Sequence, residues 1–88
     1  MRHDVRWHGV LITPTYELTC RIMNISLGGA MLELATGWSH QELSALSGLR
    51  VKDAVRVGAE LRWMSGLRCG VMFTGPAAQR IEPLLEGL

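Results

Sequence analysis

The feature that most restricts how this chain can fold is a two-residue alternation of apolar and polar side chains, repeated in short blocks. From Tyr16 to Ile22, the residues Tyr16, Leu18, Cys20 and Ile22 share one parity, while Glu17, Thr19 and Arg21 take the other. Successive side chains of a β-strand point to opposite sides, so such a block is a strand with one wet face. The pattern returns in Ala30, Leu32 and Leu34 against Glu33, and in Val55, Val57, Ala59, Leu61 and Trp63 against Arg56, Glu60 and Arg62. It returns again in Leu67, Cys69, Val71 and Phe73 against Arg68, Gly70 and Met72. Trp7 to Thr13 reads as a strand with blurred alternation, in which Gly9 marks a bulge or a close approach, and Leu49 to Val51 as a short further strand. Thr13-Pro14-Thr15 and Ser65-Gly66 have the composition of turns.

Helical signals are confined to two places. Ser39 and Glu42 have capping-box spacing, with Leu43 and Leu46 on one face before Gly48, which fits a short helical turn. Near the end, Pro76 suits a first helical position and Ile81, Leu84, Leu85 and Leu88 recur at helical spacing, although Pro83 should kink or split the run. With 88 residues, the chain can bury one small core. Many short one-sided strands in so short a chain lack the area for two large sheets. The reading is therefore all-β: a small antiparallel β-barrel of about six strands with a C-terminal α-helix across an open end. The expected division of this single domain, residues 1–88, is a flexible N-terminal arm over 1–6, the barrel over 7–73 and the helix over 76–88. The interior of a barrel this size is filled by side chains, so a ligand belongs on its outer face.

Charge and composition exclude several classes of function. Hydrophobic residues make up 48% and charged residues 19%, a globular balance, and a formal net charge of +1 argues against a polymer of nucleic acid as partner. Arg50, Lys52, Arg56, Arg62 and Arg68 outnumber Asp53 and Glu60 in one stretch, which reads first as a solvated strand face. No apolar run is long enough to cross a membrane and no signal-peptide core follows the start, so the expectation is a cytoplasmic protein without membrane insertion. Cys20 and Cys69 lack the spacing of a zinc site or redox pair and are read as buried thiols in a reducing compartment. His3, His8 and His40 have no carboxylate or thiol at fitting spacing, so no metal site is expected. Ser26 has no nucleophile-elbow context, so no catalytic residues and no enzymatic activity are expected. Trp38, in a loop, is read as a cap on the barrel or a contact residue.

Two short patterns remain. Arg2-His3-Asp4-Val5-Arg6 is an R-x-x-x-R ahead of the first strand, and Asn24-Ile25-Ser26-Leu27-Gly28-Gly29 is an N-x-S-x-x-G where the second ends. Taken singly, the first is surface charge and the second a turn. In this order, with Arg6 and Asn24 18 positions apart, they resemble the PilZ domain family of bacterial cyclic di-GMP receptors. Gly29-Ala30-Met31-Leu32, Leu61-Arg62-Trp63 and Cys69-Gly70-Val71-Met72-Phe73 extend the resemblance over nearly the whole chain.

The resemblance implies a cyclic di-GMP site made of Arg2, Arg6, Asn24, Ser26, Gly28 and Gly29. Guanine O6 and N7 are paired acceptors that suit an arginine fork, and two phosphodiesters add negative charge, so Arg2 and Arg6 would clasp phosphate and this edge. Asn24 and Ser26 would hold the opposite guanine edge, and Gly29, with Gly28 beside it, would give the turn freedom to approach the ligand. Asn24 stands where the family more often has Asp. The function implied is a non-enzymatic receptor or adaptor, with cyclic di-GMP as ligand rather than a cofactor, that signals to an effector protein by a ligand-dependent change of surface. The alternative is a PilZ-fold interaction adaptor that binds no nucleotide, favoured if Arg2 and Arg6 are engaged in internal salt bridges.

Overall fold

The computed structural model describes residues 2–35 and 40–88. Its strands are β1 (His3–Ile12), β2 (Glu17–Ile25), β3 (Gly29–Leu34), β4 (Gly48–Val51), β5 (Val55–Ser65) and β6 (Arg68–Thr74). Two helices join them, α1 (His40–Leu43) and α2 (Ala78–Leu85). The strands close into an antiparallel barrel in the order β1-β2-β3-β6-β5-β4. The alternation read from the sequence is realised as burial: Leu18, Cys20, Ile22, Leu32, Leu34, Val57, Ala59, Cys69, Val71 and Phe73 fill the interior. Thr13 ties the β1–β2 turn, donating through Oγ1 to the Tyr16 carbonyl at 2.8 Å and accepting from the Tyr16 N–H at 3.1 Å.

The flexible arm expected over 1–6 is not what residues 3–6 form: β1 begins at His3, because His3 pairs with Ile25 and Asp4 with Asn24 in the β2 ladder. Of the two roles open to Gly9, a bulge or a close approach, the structure selects the second, and the irregularity of the ladder lies between Asp4 and Trp7. Gly9 is the close approach, since a Cβ there would meet Ile22 Cγ1 at 3.0 Å and Cys20 Sγ at 3.1 Å. The C-terminal helix is shorter than 76–88, and Pro83 lies inside it without splitting it. The carbonyl left without a donor belongs to Gln79, which is exposed to water, and the helix ends two residues beyond the proline.

Ile81 is fully buried and Ala77 nearly so, so α2 lies across the barrel end with Leu84 and Leu85 packed against the core. Leu43 at the end of α1 and Leu46 are buried in the same core. Ser39, the expected capping residue, and Trp38 lie outside the described residues. No helix among the described residues is long and apolar enough to cross a membrane.

Candidate functional site

Three β-bulges gather around one patch of the barrel exterior. Between the pairs Asp4–Asn24 and Trp7–Ile22, Val5 and Arg6 of β1 together oppose Met23 of β2. Met23 is also the extra residue of β2 against β3, and Arg62 is the extra residue of β5 against β6. A bulge adds one residue to one strand, so parity is reset beyond it and a side chain is re-aimed. At Arg62 the effect is large. The alternation placed Trp63 with the inward set, yet Arg62 and Trp63 both face out, and Trp63 is 42% exposed.

Trp63 pairs with Gly70 across the ladder and its indole lies over that glycine, in the space a Cβ would need. Beside it, Arg62 points an Nη1 at the Met72 sulfur, at 3.8 Å. Arg62, Trp63, Gly70 and Met72 form one side of an open groove of about 380 Å³, and Arg2, Ser26, Gly28 and Gly29 form the other. Four of the six residues proposed from the sequence are thus brought to one groove. Asn24 joins them through its side chain, whose Oδ1 accepts a hydrogen bond from Arg2 Nη1 at 3.1 Å. Arg6 is not among the groove residues; it stands exposed on β1 at the bulge.

The turn between β2 and β3 is held by its own groups. The Ser26 N–H donates to the Gly29 carbonyl at 2.9 Å, and Ser26 Oγ accepts from the Gly28 N–H at 3.3 Å. The Gly28 carbonyl accepts from the Phe73 N–H at 2.8 Å, which ties the turn to β6. Neither Gly28 nor Gly29 has a positive φ, so backbone freedom is not what the structure asks of them. A Cβ on Gly29 would run into the Val71 carbonyl oxygen, whereas a Cβ on Gly28 would meet nothing within 4 Å. Gly29 is there for close packing of β3 on β6, and Gly28 leaves open space beside the groove.

The charges of the groove are unspent. Arg2, Arg6 and Arg62 have no carboxylate partner among the described residues, whereas Arg50 is paired with Glu17 and Asp53, and Arg68 with Glu33. Lys52 sits over Trp7, 4.7 Å from the ring centre. Three of the five basic residues of that stretch, Arg50, Lys52 and Arg68, are thus engaged within the domain. No cluster of metal-ligating side chains occurs among the described residues. Cys20 and Cys69 are free and buried; burial, with the neighbouring Cys69 charge adding to it, pushes Cys20 up to about 12, and burial alone pushes Cys69 up to about 11.

Arg62, Trp63 and Met72 join the site without a motif that marks them: in the sequence they stand out only through Leu61-Arg62-Trp63 and Cys69-Gly70-Val71-Met72-Phe73, as parts of a resemblance, with Arg62 also fitting a solvated strand face.

The chain is thus a small closed barrel with an exterior groove, flanked by arginines that have no carboxylate partner among the described residues and by the turn after its second strand. Compared with known families, the chain matches the PilZ domain over residues 1–87, and it belongs to that family. Neither the curated proteins nor the solved structures returned a match to the chain.

Proposed function

We propose that this domain is a non-enzymatic cytoplasmic receptor that binds cyclic di-GMP in the exterior groove and reports it to an effector protein. The observation that carries the reading is the convergence of Arg2, Ser26, Gly28 and Gly29 with Arg62 and Trp63 on one groove, with no carboxylate among the described residues neutralising either arginine. Two phosphodiesters supply the anionic charge that Arg2, Arg62 and the nearby Arg6 lack, and an arginine fork matches guanine O6 and N7. Trp63 gives a purine an aromatic surface to stack on, since its ring covers Gly70 and is partly exposed.

Binding exchanges one hydrogen bond for two. In the free domain Arg2 donates to Asn24 Oδ1. When Arg2 turns to phosphate or the O6/N7 edge, Asn24 Oδ1 is released to accept from guanine N1–H or N2–H. Ser26 Oγ accepts from the Gly28 N–H and donates to the Gly29 carbonyl at 3.4 Å; turning that proton to the ligand gives up only this long bond, because the Ser26 N–H still donates to the same carbonyl.

A second reading, an adaptor of the same fold that binds no nucleotide, draws on the position of Arg6 outside the groove. An isotope-edited NMR titration of the full chain with cyclic di-GMP, with GMP as control, separates the two. Shifts are expected at Arg2, at Asn24 to Gly29 and at the Trp63 indole N–H, with Arg2→Ala weakening binding by roughly 10- to 150-fold. No shift at millimolar dinucleotide would remove the receptor reading and leave the adaptor.

A further inference from the structure

The turn that lines the ligand groove also lines a second depression. Ser26 and Gly28 form one wall of a cleft of about 360 Å³, whose other residues are His3, Leu27, Glu82, Leu85 and Glu86. The cleft therefore lies between the β2–β3 turn and the C-terminal half of α2, with the turn as a wall common to both sites. Its apolar part is formed by Leu27, which is 45% exposed, and Leu85, which is only partly buried.

Its charged part is out of balance. Glu82 and Glu86 are four residues apart, hence on one face of α2, and like charges at that spacing repel. They also sit toward the negative end of the helix dipole, where cations are favoured, and the last turn of α2 contains no basic residue. Neither carboxylate has an ion-pair partner among the described residues. The fold thus tolerates an arrangement that lowers its own stability, beside an exposed leucine. An incoming cation next to an apolar side chain relieves both.

We propose that this cleft docks a protein partner through a short segment that inserts an apolar side chain between Leu27 and Leu85 and sets Lys or Arg against Glu82 and Glu86. We propose further that nucleotide in the neighbouring groove alters this docking, because Ser26 and Gly28 belong to both. The coupling, though not the docking face, rests on the receptor reading above. An anionic rim disfavours an acidic lipid surface, which leaves a basic, apolar peptide segment as the fitting occupant.

The test begins with a phage-displayed peptide library selected on the full chain, with Glu82→Lys/Glu86→Lys as counter-selection. Both glutamates are solvent-exposed, so the variant should keep the fold, which its circular dichroism melt checks, and Leu27→Ser provides an independent second variant. Selected peptides are expected to carry Lys or Arg flanking a Leu, Ile, Met or Phe. They should lose about tenfold or more in affinity on the charge-reversed variant and shift the amides of Leu27, Leu85 and Glu86. Acidic or charge-indifferent peptides, equal affinity for both variants, shifts elsewhere, or use of the cleft by a second copy of the chain in sedimentation would overturn the docking proposal.

The best peptide is then titrated with and without saturating cyclic di-GMP. A change of about fivefold or more in its affinity supports the coupling, and an unchanged affinity overturns the coupling alone. Failure of the receptor reading is visible separately, as missing shifts at Arg2 and Ser26 when dinucleotide is added without peptide.

Discussion

Gly29 and Gly70 show at the scale of one residue how the site constrains its own sequence. Each fills a place where a Cβ has no room, but the obstacles differ: the Val71 backbone carbonyl at Gly29 and the Trp63 indole at Gly70. Backbone cannot step aside without breaking the β3–β6 ladder, so Gly29→Ala is expected to cost about 1–3 kcal/mol in urea unfolding. A side chain can rotate away. Gly70→Ala is therefore expected to cost less than Gly29→Ala, while displacing Trp63 enough to change the intrinsic fluorescence and to weaken cyclic di-GMP binding. Equal stability losses for the two variants, or an unmoved tryptophan signal in the second, would contradict this account. Asn24 acts at the same scale: Asn24→Ala removes the acceptor that holds Arg2 in the free domain.

Among the elements, α2 carries consequences for both the core and the surface. Its attachment depends on Ile81, fully buried against the barrel end, with Ala77 beside it. Ile81→Ala leaves a cavity that neighbouring backbone can fill only in part, so a loss of about 2–5 kcal/mol is expected by urea unfolding. In a domain of this size that is a large share of total stability. Earlier hydrogen exchange in α2 than in β2 and β6 would identify the helix as the part that loosens first. The bulges at Met23 and Arg62 act on strands as α2 acts on the barrel end, turning regular elements into carriers of outward-facing groups beside the groove.

For the molecule as a whole, the two interior thiols tie stability to pH. Burial raises the Cys69 thiol to about 11, and burial with the Cys69 charge raises Cys20 to about 12, from a usual value of 9.0. The unfolded chain thus gives up these protons first, so the stabilising difference is full below about pH 9 and is lost as pH rises toward 11–12. The melting temperature is expected to fall through that window, and to fall less in Cys20→Ala/Cys69→Ala. At neutral pH both thiols should resist iodoacetamide until urea unfolds the chain. Ligand acts in the opposite direction. Cyclic di-GMP at about 100 times its Kd should add roughly 2.7 kcal/mol, or roughly 10–20 °C in melting temperature, with GMP giving no comparable shift.

The period-two pattern by itself determined that these segments are one-sided strands, with the chain length it pointed to a small all-β barrel, and the helical spacing of Ile81, Leu84 and Leu85 added the helix across its end. Cys20, Ile22, Leu32 and Val71 are interior residues because alternation is a property of neighbouring positions, readable without knowledge of any partner strand. Arg2, Asn24, Ser26 and Gly29 were legible as a group through their two motifs. The outward turn of Trp63 was not. Its direction depends on how many residues of β5 oppose β6, and that count exists only once the two strands are paired. The start of β1 at His3 was hidden for the same reason, since the pairing of His3 with Ile25 and Asp4 with Asn24 lies in β2. The meeting of Arg2 with Arg62, Trp63 and Met72 was decided by the barrel order β3-β6-β5, which sets the two halves of the chain side by side. A side chain's face follows from local periodicity, but its neighbours across the sheet follow only from closure.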